Sequence, residues 1–420
     1  MMRASFLILA ILAAGCTSPG SVTRTLAPPY PEGDEEVFAQ RQQQYRSSVG
    51  AQGRLGGYDP VEPVIGAAIP HPIATAVAPA LSDAALDEAE TYAAARRSSS
   101  FLVWMNGALQ RERYFGDADS STPIVSKALA KPLATIVIGR AIQLGMIQSV
   151  DEPAANYITE WRDDPVRSRI TIRHLLEMRS GLLAQSFGPD APSILERAYL
   201  HPRHDSVMVY EYPVTDQPGE RFEYSNVTTD LIALVIERAT GRRYADFLGG
   251  ELLQRIGAAG GHVWVNRPGG LAHSGCCILL PARTWLKVGV LLMEGGVWQG
   301  RRLVPFDFVR AMSTATPQNP HFGMGLWVAG PYVERRGFLH PSQELGRVLH
   351  SAPYLDADLS LFDGNVNQVM YLIPSMRMII LRTGEFPPVE LEWDNSYLPN
   401  ILIADAARQG DVPMPRPPSR

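Results

Sequence analysis

The chain has 420 residues, of which 45% are hydrophobic and 19% are charged, and these values are typical of a globular protein. This composition excludes a disordered or fibrous chain, and the length suits one large domain or about two to three ordinary ones. The formal net charge is only -5, and no long basic run offers a footprint for phosphates. The sequence therefore argues against a nucleic-acid partner.

The first residues have the pattern of a signal peptide. Arg3 precedes the apolar residues 6–14, a stretch too short to span a membrane. It ends in LAAGC, which resembles a bacterial lipoprotein cleavage box, and that resemblance implies that Cys16 becomes the acylated first residue of the mature protein. The alternative is a plain secretory signal with an incidental cysteine. We therefore expect an exported protein and, on the lipoprotein interpretation, a periplasm-facing membrane lipoprotein of the cell envelope.

Four regions follow from composition and pattern. Residues 1–15 are predicted to be the signal peptide, and residues 16–80, rich in Pro, Gly, Gln and Ala, are predicted to form a tether and a wrapping arm without a core of its own. Residues 81–405 are predicted to form one compact domain, and residues 406–420 a C-terminal tail.

The elements of this domain can be predicted in chain order. LSDAALDEAETYAAARR favours a helix capped by Ser82 or Asp83, and Asn106-Gly107 lies between two β-rich runs as in a hairpin. KPLATIVIGRAIQLGMI is apolar on nearly every side, which indicates a fully buried helix. TIRHLLEMRSGL and TTDLIALVIERATG have helical spacing, and the second ends at Gly241. QVMYLIPSMRMIILRTG predicts two strands joined by a Pro-Ser turn.

Strands near both ends and helices between them predict an α+β fold, with a sheet from both termini and a helical region.

The cysteines in the body of the chain, Cys276 and Cys277, are adjacent. Neighbouring cysteines pair only through a strained ring, so we expect two thiols in or near the core. No Cys/His cluster has zinc spacing, and neither a metal nor another cofactor is predicted.

Tyr224, Ser225 and Asn226 lie at a loop-to-helix junction, where side chains can face a cleft. A tyrosine there could act as a general base if a nearby cation stabilised its phenolate. The alternative is a half-buried tyrosine whose hydroxyl binds a backbone carbonyl.

The order of five segments resembles the serine beta-lactamase-related hydrolases, a group that includes class C beta-lactamases, D-alanyl-D-alanine carboxypeptidases, certain esterases and 6-aminohexanoate-dimer hydrolases. The segments are SKALAKPLATIVIG, TIRHLLEMRSGL, PGERFEYSN, LPARTWLKVGVLLMEGGVWQGRRLVP and FGMGLWV. The resemblance runs over residues 81–388. It implies a serine beta-lactamase/penicillin-binding-protein-like fold with an antiparallel sheet flanked by helices. It also implies a hydrolase of ester or amide bonds that acts through an acyl-enzyme on a small-molecule or peptide substrate.

The resemblance also implies site residues. Lys131 matches the motif lysine, and Tyr224 and Asn226 match the Tyr-x-Asn motif, so the charge of Lys131 is expected to favour the phenolate of Tyr224. Asp363 and Gly364 occupy the place of a C-terminal Lys-Thr-Gly or His-x-Gly motif. Because an acid replaces the usual base, we expect a substrate carboxylate to be repelled there.

The nucleophile position departs from the family. A serine three residues before the lysine would share its helix face, but that residue is Ala128. One interpretation is a natural serine that has been removed from this chain. A second is a non-catalytic relative that binds a peptide or cell-wall ligand. A third is a displaced nucleophile, Ser126, or a water activated by Tyr224. Attack by Cys276 or Cys277, with His273 near in sequence, is a further alternative.

Overall fold

The computed structural model describes residues 21–48, 59–186, 190–342 and 346–410. Cys16, the predicted signal peptide and most of the predicted C-terminal tail lie outside these ranges, and the predicted division into four regions stays a prediction. No helix in the described ranges combines the length and apolar character that a membrane crossing requires.

The described residues form the following elements. The helices are α1 (Glu32–Ser48), α2 (Asp83–Ala95), α3 (Ala130–Gln143), α4 (Ile172–Leu176), α5 (Ser193–Leu200), α6 (His204–Ser206), α7 (Asn226–Thr240), α8 (Tyr244–Leu248), α9 (Ala282–Met293), α10 (Phe306–Met312) and α11 (Tyr397–Gln409). The strands are β1 (Val61–Val64), β2 (Ser98–Met105), β3 (Ala108–Tyr114), β4 (Pro123–Val125), β5 (Gly261–Trp264), β6 (Ile278–Pro281), β7 (Val297–Trp298), β8 (Arg301–Arg302), β9 (Trp327–Val328), β10 (Arg335–Gly337), β11 (Arg347–Leu349), β12 (Ser360–Gly364), β13 (Gln368–Ile373) and β14 (Met378–Gly384).

The main sheet is antiparallel and joins both ends of the chain. Within the described residues its strand order is β3-β2-β14-β13-β12-β9. The hairpin β2–β3 turns at Asn106 and Gly107, both with positive φ, as the Asn-Gly pair predicts. The predicted α+β fold, with a sheet from both termini, is therefore confirmed.

Helices cover both faces of this sheet because its strands alternate their apolar side chains. Leu102 and Trp104 of β2 face a core shared with the helical region, which includes α3, α7 and α9. Phe101 and Val103 face the opposite core, under α2 and α11. The helix α3 is buried along residues 130–141, as its apolar sequence predicts.

A smaller sheet of order β1-β5-β6-β4 lies beside the helical region. Its strand β1 belongs to the predicted arm, and so does α1, and neither element was expected from the Pro- and Gly-rich sequence. The arm contains this regular structure because ion pairs and strand pairing with the main domain support it. Glu35 of α1 pairs with Arg197, for example, and Val64 of β1 pairs with Gly261. Local composition cannot predict such distant partners.

Candidate active site

The position predicted for the nucleophile, Ala128, lies just before the buried helix α3. After β4 the chain forms a 3-10 turn, Lys127–Leu129, which continues directly into α3. Lys127 has a φ of 48°, a left-handed conformation that non-glycine residues seldom adopt. Ala128 is half-buried and packs against the core under α2 and α11. Its side chain is a methyl group and carries no oxygen that could attack a carbonyl.

Lys131 is the best-defined polar group of the site. It is buried in the first turn of α3, and its Nζ donates to Asn226 Oδ1 at 2.7 Å and to Gly275 O at 3.1 Å. Burial lowers the pKa of Lys131 to about 8, and the charge of Asp230 opposes part of that effect. A lysine with such a pKa is partly neutral near pH 8 and can accept a proton.

Tyr224 lies against Lys131 as predicted, but not as a phenolate. Lys131 Nζ sits over the ring face, 4.9 Å from its centroid, and within the described residues the buried hydroxyl has no hydrogen-bond partner. Burial raises the pKa of Tyr224 well above its ordinary value, and the nearby Asp363 raises it further while Arg336 opposes the change. The expected phenolate is therefore wrong, because loss of solvation outweighs the charge of the lysine. Tyr224 is a neutral donor.

Asn226 connects Lys131 to a loop of the helical region. It is the first residue of α7, so its side chain projects from the start of the helix. Its Oδ1 accepts from Lys131, and its Nδ2 donates to Gln185 Oε1 at 3.3 Å. The structure thus brings together three residues of the family motifs: Lys131, Tyr224 and Asn226.

Ser126 is held away from this group by backbone contacts. Its hydroxyl donates to Cys276 O at 2.9 Å and accepts from Ile278 N at 3.2 Å, and only 1% of the residue is exposed. Its backbone N–H also donates to Ile278 O at 2.9 Å. In this conformation the hydroxyl extends the pairing of β4 with β6 and is not presented to Lys131.

Asp363 and Gly364 end β12 on opposite faces. Gly364 faces the nucleophile position, since a Cβ there would lie 3.1 Å from Ala128 N. Asp363 is buried on the other face, where it accepts from Arg336 Nη2 and from Asn395 Nδ2 at 3.0 Å.

The expected repulsion of a substrate carboxylate by Asp363 is therefore corrected. Burial raises the pKa of this carboxyl, and the Arg336 guanidinium lowers it in turn. Whether neutral or paired with Arg336, Asp363 adds no uncompensated negative charge. Arg336 itself stacks over Trp327, 3.9 Å from the ring centroid, and its Nη1 is buried without a partner among the described residues.

Cys276 and Cys277 form a disulfide, so the expectation of two thiols is wrong. The chain turns at residues 274–276, and this local geometry brings the sulfurs of both neighbours together, which sequence adjacency alone does not reveal. Because neither sulfur is a thiolate in this state, the alternative of a cysteine nucleophile loses its basis.

His204, Asp230 and His273 form the group of possible metal ligands among the described residues, with one ligand atom of each within 4.8 Å of the others. The two imidazole rings are stacked, 4.0 Å apart and only 10° from parallel. Because imidazole lone pairs lie in the ring plane, two stacked rings do not aim at one ion. This arrangement does not fit a metal centre.

Sequence reasoning missed Asp230 and Arg336. Asp230 lies four residues after Asn226, so helical spacing could have placed the two on one face of α7. Arg336 comes from β10, far along the chain, and no motif surrounds it.

Comparison with known proteins gives the family and the fold that the chain resembles. Residues 84–289 match the Beta-lactamase family model. A curated 6-aminohexanoate-dimer hydrolase from Paenarthrobacter ureafaciens is 25% identical over 229 residues, which are 51% of this chain and 57% of the relative. The chain thus spans little more than half the length of that relative.

Solved structures share the fold. A Bacillus anthracis protein assigned to the 6-aminohexanoate-dimer hydrolases superposes with a TM-score of 0.66 at 18% identity, over 86% of this chain and 94% of its own. A Bacteroides dorei protein assigned to the beta-lactamases superposes with a TM-score of 0.60 at 15% identity, over 77% and 98%. The match to the family model therefore identifies residues 84–289 as a Beta-lactamase family domain, and the superpositions show that the fold is shared.

Proposed function

We propose that this protein is built for ester or amide hydrolysis through an acyl-enzyme, with residue 128 as the seat of the nucleophile. The observation that carries the proposal is the environment of Lys131. Its amine is buried, held 2.7 Å from Asn226 Oδ1, and covered by the ring of Tyr224. A lysine with a purely structural role does not require burial of its amine. A lysine that acts as a general base does, because burial brings the lysine pKa closer to neutral pH.

A serine at position 128 would complete the chemistry. Positions 128 and 131 are three residues apart on one continuous helical segment, so their side chains share a face. The neutral Lys131 amine takes the serine proton while the oxygen attacks the substrate carbonyl. The proton then passes to the departing alcohol or amine, and water, deprotonated in the same way, releases the acid and restores the serine.

The developing oxyanion needs hydrogen-bond donors. The N–H of Ala128 is in the first turn of its helical segment, where backbone donors lack intrahelical acceptors. Gly364 lies against this nitrogen, and the absence of a side chain there leaves room for a substrate oxygen. Tyr224, as a neutral phenol, supports this step by donating its unpartnered hydroxyl to the reacting group.

The chain as it stands has alanine at this position, and this favours a second candidate. A cleft that keeps Lys131, Tyr224 and Asn226 without a nucleophile can bind a peptide or cell-wall fragment without cleaving it. The hydroxyl of Ser126 is buried and makes two hydrogen bonds, which argues against Ser126 as a displaced nucleophile.

The test is the substitution Ala128→Ser. We expect it to create or raise hydrolysis of p-nitrophenyl esters, because it adds one oxygen beside a base that is already in place. Treatment with a fluorophosphonate, followed by peptide mass spectrometry, should place the adduct on the introduced serine.

The paired control is Ser126→Ala, which should leave the activity of the Ala128→Ser protein within about a few-fold. If Ser126→Ala instead abolishes an existing activity while Ala128→Ser adds none, the nucleophile has shifted register. If neither change matters and no adduct forms, the protein is better regarded as a binder.

Activity should also depend on pH through Lys131. Since the base acts when it is neutral, the rate in the Ala128→Ser protein should rise as the pH passes through about 8, the pKa of Lys131. A rate that is already constant well below that pH would contradict Lys131 as the base.

We further propose that the protein acts in the cell envelope, anchored by lipid at Cys16. The support is the sequence of residues 1–16, an arginine and an apolar stretch that end in LAAGC. A small-molecule or peptide ester or amide of the periplasm would then be its substrate.

A further inference from the structure

The segment of residues 273–278 contacts Lys131 in the first turn of α3 and Ser126 just before it. Gly275 O accepts from Lys131 Nζ at 3.1 Å. One residue later, Cys276 O accepts from the Ser126 hydroxyl at 2.9 Å. The position of this segment therefore determines what Lys131 can bond to.

Asp230 of α7 holds the segment in place. Its Oδ1 accepts from Gly275 N at 2.8 Å, and its Oδ2 lies 2.9 Å from His273 Nδ1. Asp230 is 1% exposed, and His273 is fully buried. A carboxylate with both oxygens bonded in a buried site is costly to move, because any displacement leaves buried donors unsatisfied.

The same carboxylate is close to the lysine. A Cβ on Gly275 would lie 3.1 Å from Asp230 Oδ1 and 3.2 Å from Lys131 Nζ, so this glycine lies close to both charged groups. Burial keeps water from screening their attraction. A larger residue at position 275 would crowd both groups.

Among the described residues, three titratable groups near Asp230 or Lys131 are neutral and cannot take over this role. His204 is stacked on His273, and burial lowers the pKa of His204 well below its ordinary value, so this ring is neutral. The Tyr244 hydroxyl is buried, and burial and Asp230 both raise the pKa of that phenol, so it is neutral too. Tyr224, which faces Lys131 from the other side, is also a neutral phenol.

We propose that Asp230 is a positioning residue of this site: it fixes residues 273–278 against Lys131 and keeps one negative charge behind the lysine ammonium. The alternative is a purely structural role, in which Asp230 only ties a loop to α7. The two roles predict different values for one measurable quantity, the proton affinity of Lys131. A purely structural role of Asp230 would leave that affinity unchanged.

The chain offers a direct measurement of that affinity, since it has only three lysines, Lys127, Lys131 and Lys287. Protein labelled with 13C at the lysine ε-carbon should give one NMR signal for each, and Lys131→Arg assigns the signal of interest. We expect Asp230→Asn to lower the pKa of Lys131 by about one unit or more, the usual effect of removing an opposite charge at this range. An unchanged Lys131 titration in folded Asp230→Asn protein would overturn the proposal.

Ser274→Ala is the matched control. Ser274 Oγ donates to Thr229 O at 2.7 Å, so this change removes a hydrogen bond between the same segment and the same helix without changing any charge. The Lys131 titration should stay as it is in the parent protein. A shift as large as that of Asp230→Asn would assign the effect to loop anchoring and would refute a role for the charge.

If Asp230→Asn does not fold, Gly275→Ala replaces it. This variant retains every charged group but adds a methyl that crowds both the carboxylate and the amine, so that they must move to make room. It should also lower the pKa of Lys131, and an unchanged titration would contradict the proposal.

The kinetic experiment rests on the proposed function, whereas the NMR titration does not. In the Ala128→Ser background, Asp230→Asn should move the rise of ester hydrolysis to lower pH by the same shift as the NMR titration. If Ala128→Ser is inactive, the proposed hydrolysis fails while the lysine titration still decides the role of Asp230.

Discussion

At Tyr224, burial and the neighbouring Asp363 both favour the neutral phenol, while at Lys131 burial favours the neutral amine. The two groups lie face to face, yet desolvation moves their pKa values in opposite directions because it disfavours whichever form is charged. In the proposed function, the lysine would therefore accept protons and the tyrosine would donate hydrogen bonds.

Tyr224→Phe tests this assignment in the Ala128→Ser background. Ester hydrolysis should fall by roughly a hundredfold, since the substitution removes a donor in the site. Stability should stay the same or rise, because within the described residues the buried hydroxyl has no partner to lose. Initial rates and thermal unfolding measure the two effects.

Tyr92→Phe is the matched control at a distance from the site. Tyr92 belongs to α2, and its hydroxyl accepts from Asp394 N at 2.9 Å. Loss of this hydrogen bond should lower the free energy of unfolding by about 1 kcal/mol and leave the rate of ester hydrolysis unchanged. An unchanged rate in Tyr224→Phe would mean that this tyrosine, too, is only structural.

At the scale of elements, the site depends on how closely β12 approaches the turn before α3. The chain after Gly364 makes a tight turn in which Val366 and Asn367 both have positive φ, 59° and 58°. A left-handed valine is a strained conformation that its surroundings must support. Arg382 supports it, because its Nη1 donates to Val366 O at 2.8 Å and to Asn367 O at 3.0 Å.

Gly364→Ala tests the close approach. Its backbone is extended, so alanine fits the local conformation, but the added Cβ would lie 3.1 Å from Ala128 N and 3.2 Å from Leu129 N. In the Ala128→Ser background we expect ester hydrolysis to fall about tenfold, since small displacements of reacting groups are costly. The loss of stability should be only about 1 kcal/mol.

Gly33→Ala serves as its control, because a Cβ at position 33 has no neighbour within 4 Å in the described structure. Its activity should equal that of the parent. If Gly364→Ala is equally active, the strand does not shape the oxyanion site.

At the scale of the whole molecule, the N-terminal arm binds to the helical region, whose residues lie far from it in the sequence. Thr23 N–H donates to Glu237, and the hydroxyl of Thr23 accepts from Arg243, both in the helical region. In α1, Asp34 pairs with Arg203. The first described residues are thus fixed to the domain, so an anchor at Cys16 would hold the domain only a few residues from a membrane.

Lipidation of Cys16 gives the corresponding prediction. In cells treated with globomycin, we expect an unprocessed precursor to accumulate, and metabolic labelling with palmitate should label the mature protein. Cys16→Ser should abolish the label. Normal processing under globomycin would show that the signal is an ordinary secretory one.

Elements with local causes could be predicted from the sequence. Ser82 caps α2, and its hydroxyl accepts from Ala85 N, because that bond forms within one turn. Gly241 ends α7 with a φ of 67°, and Asn106-Gly107 turns the hairpin, since both need conformations that few residues adopt. The family motifs likewise located Lys131, Tyr224 and Asn226, because residue identity at fixed spacing is what a motif records.

Only the tertiary structure decided the electrostatics of the site. The sequence placed a cation near Tyr224, but the depth of burial that makes this phenol neutral depends on Trp327 and Phe338 packing over it from distant segments. The partner of Asp363 is Arg336, from β10, and no local pattern connects the two. Charges act across space and in proportion to their desolvation, so the sequence by itself determined which groups are present, and the fold determined which of them are charged.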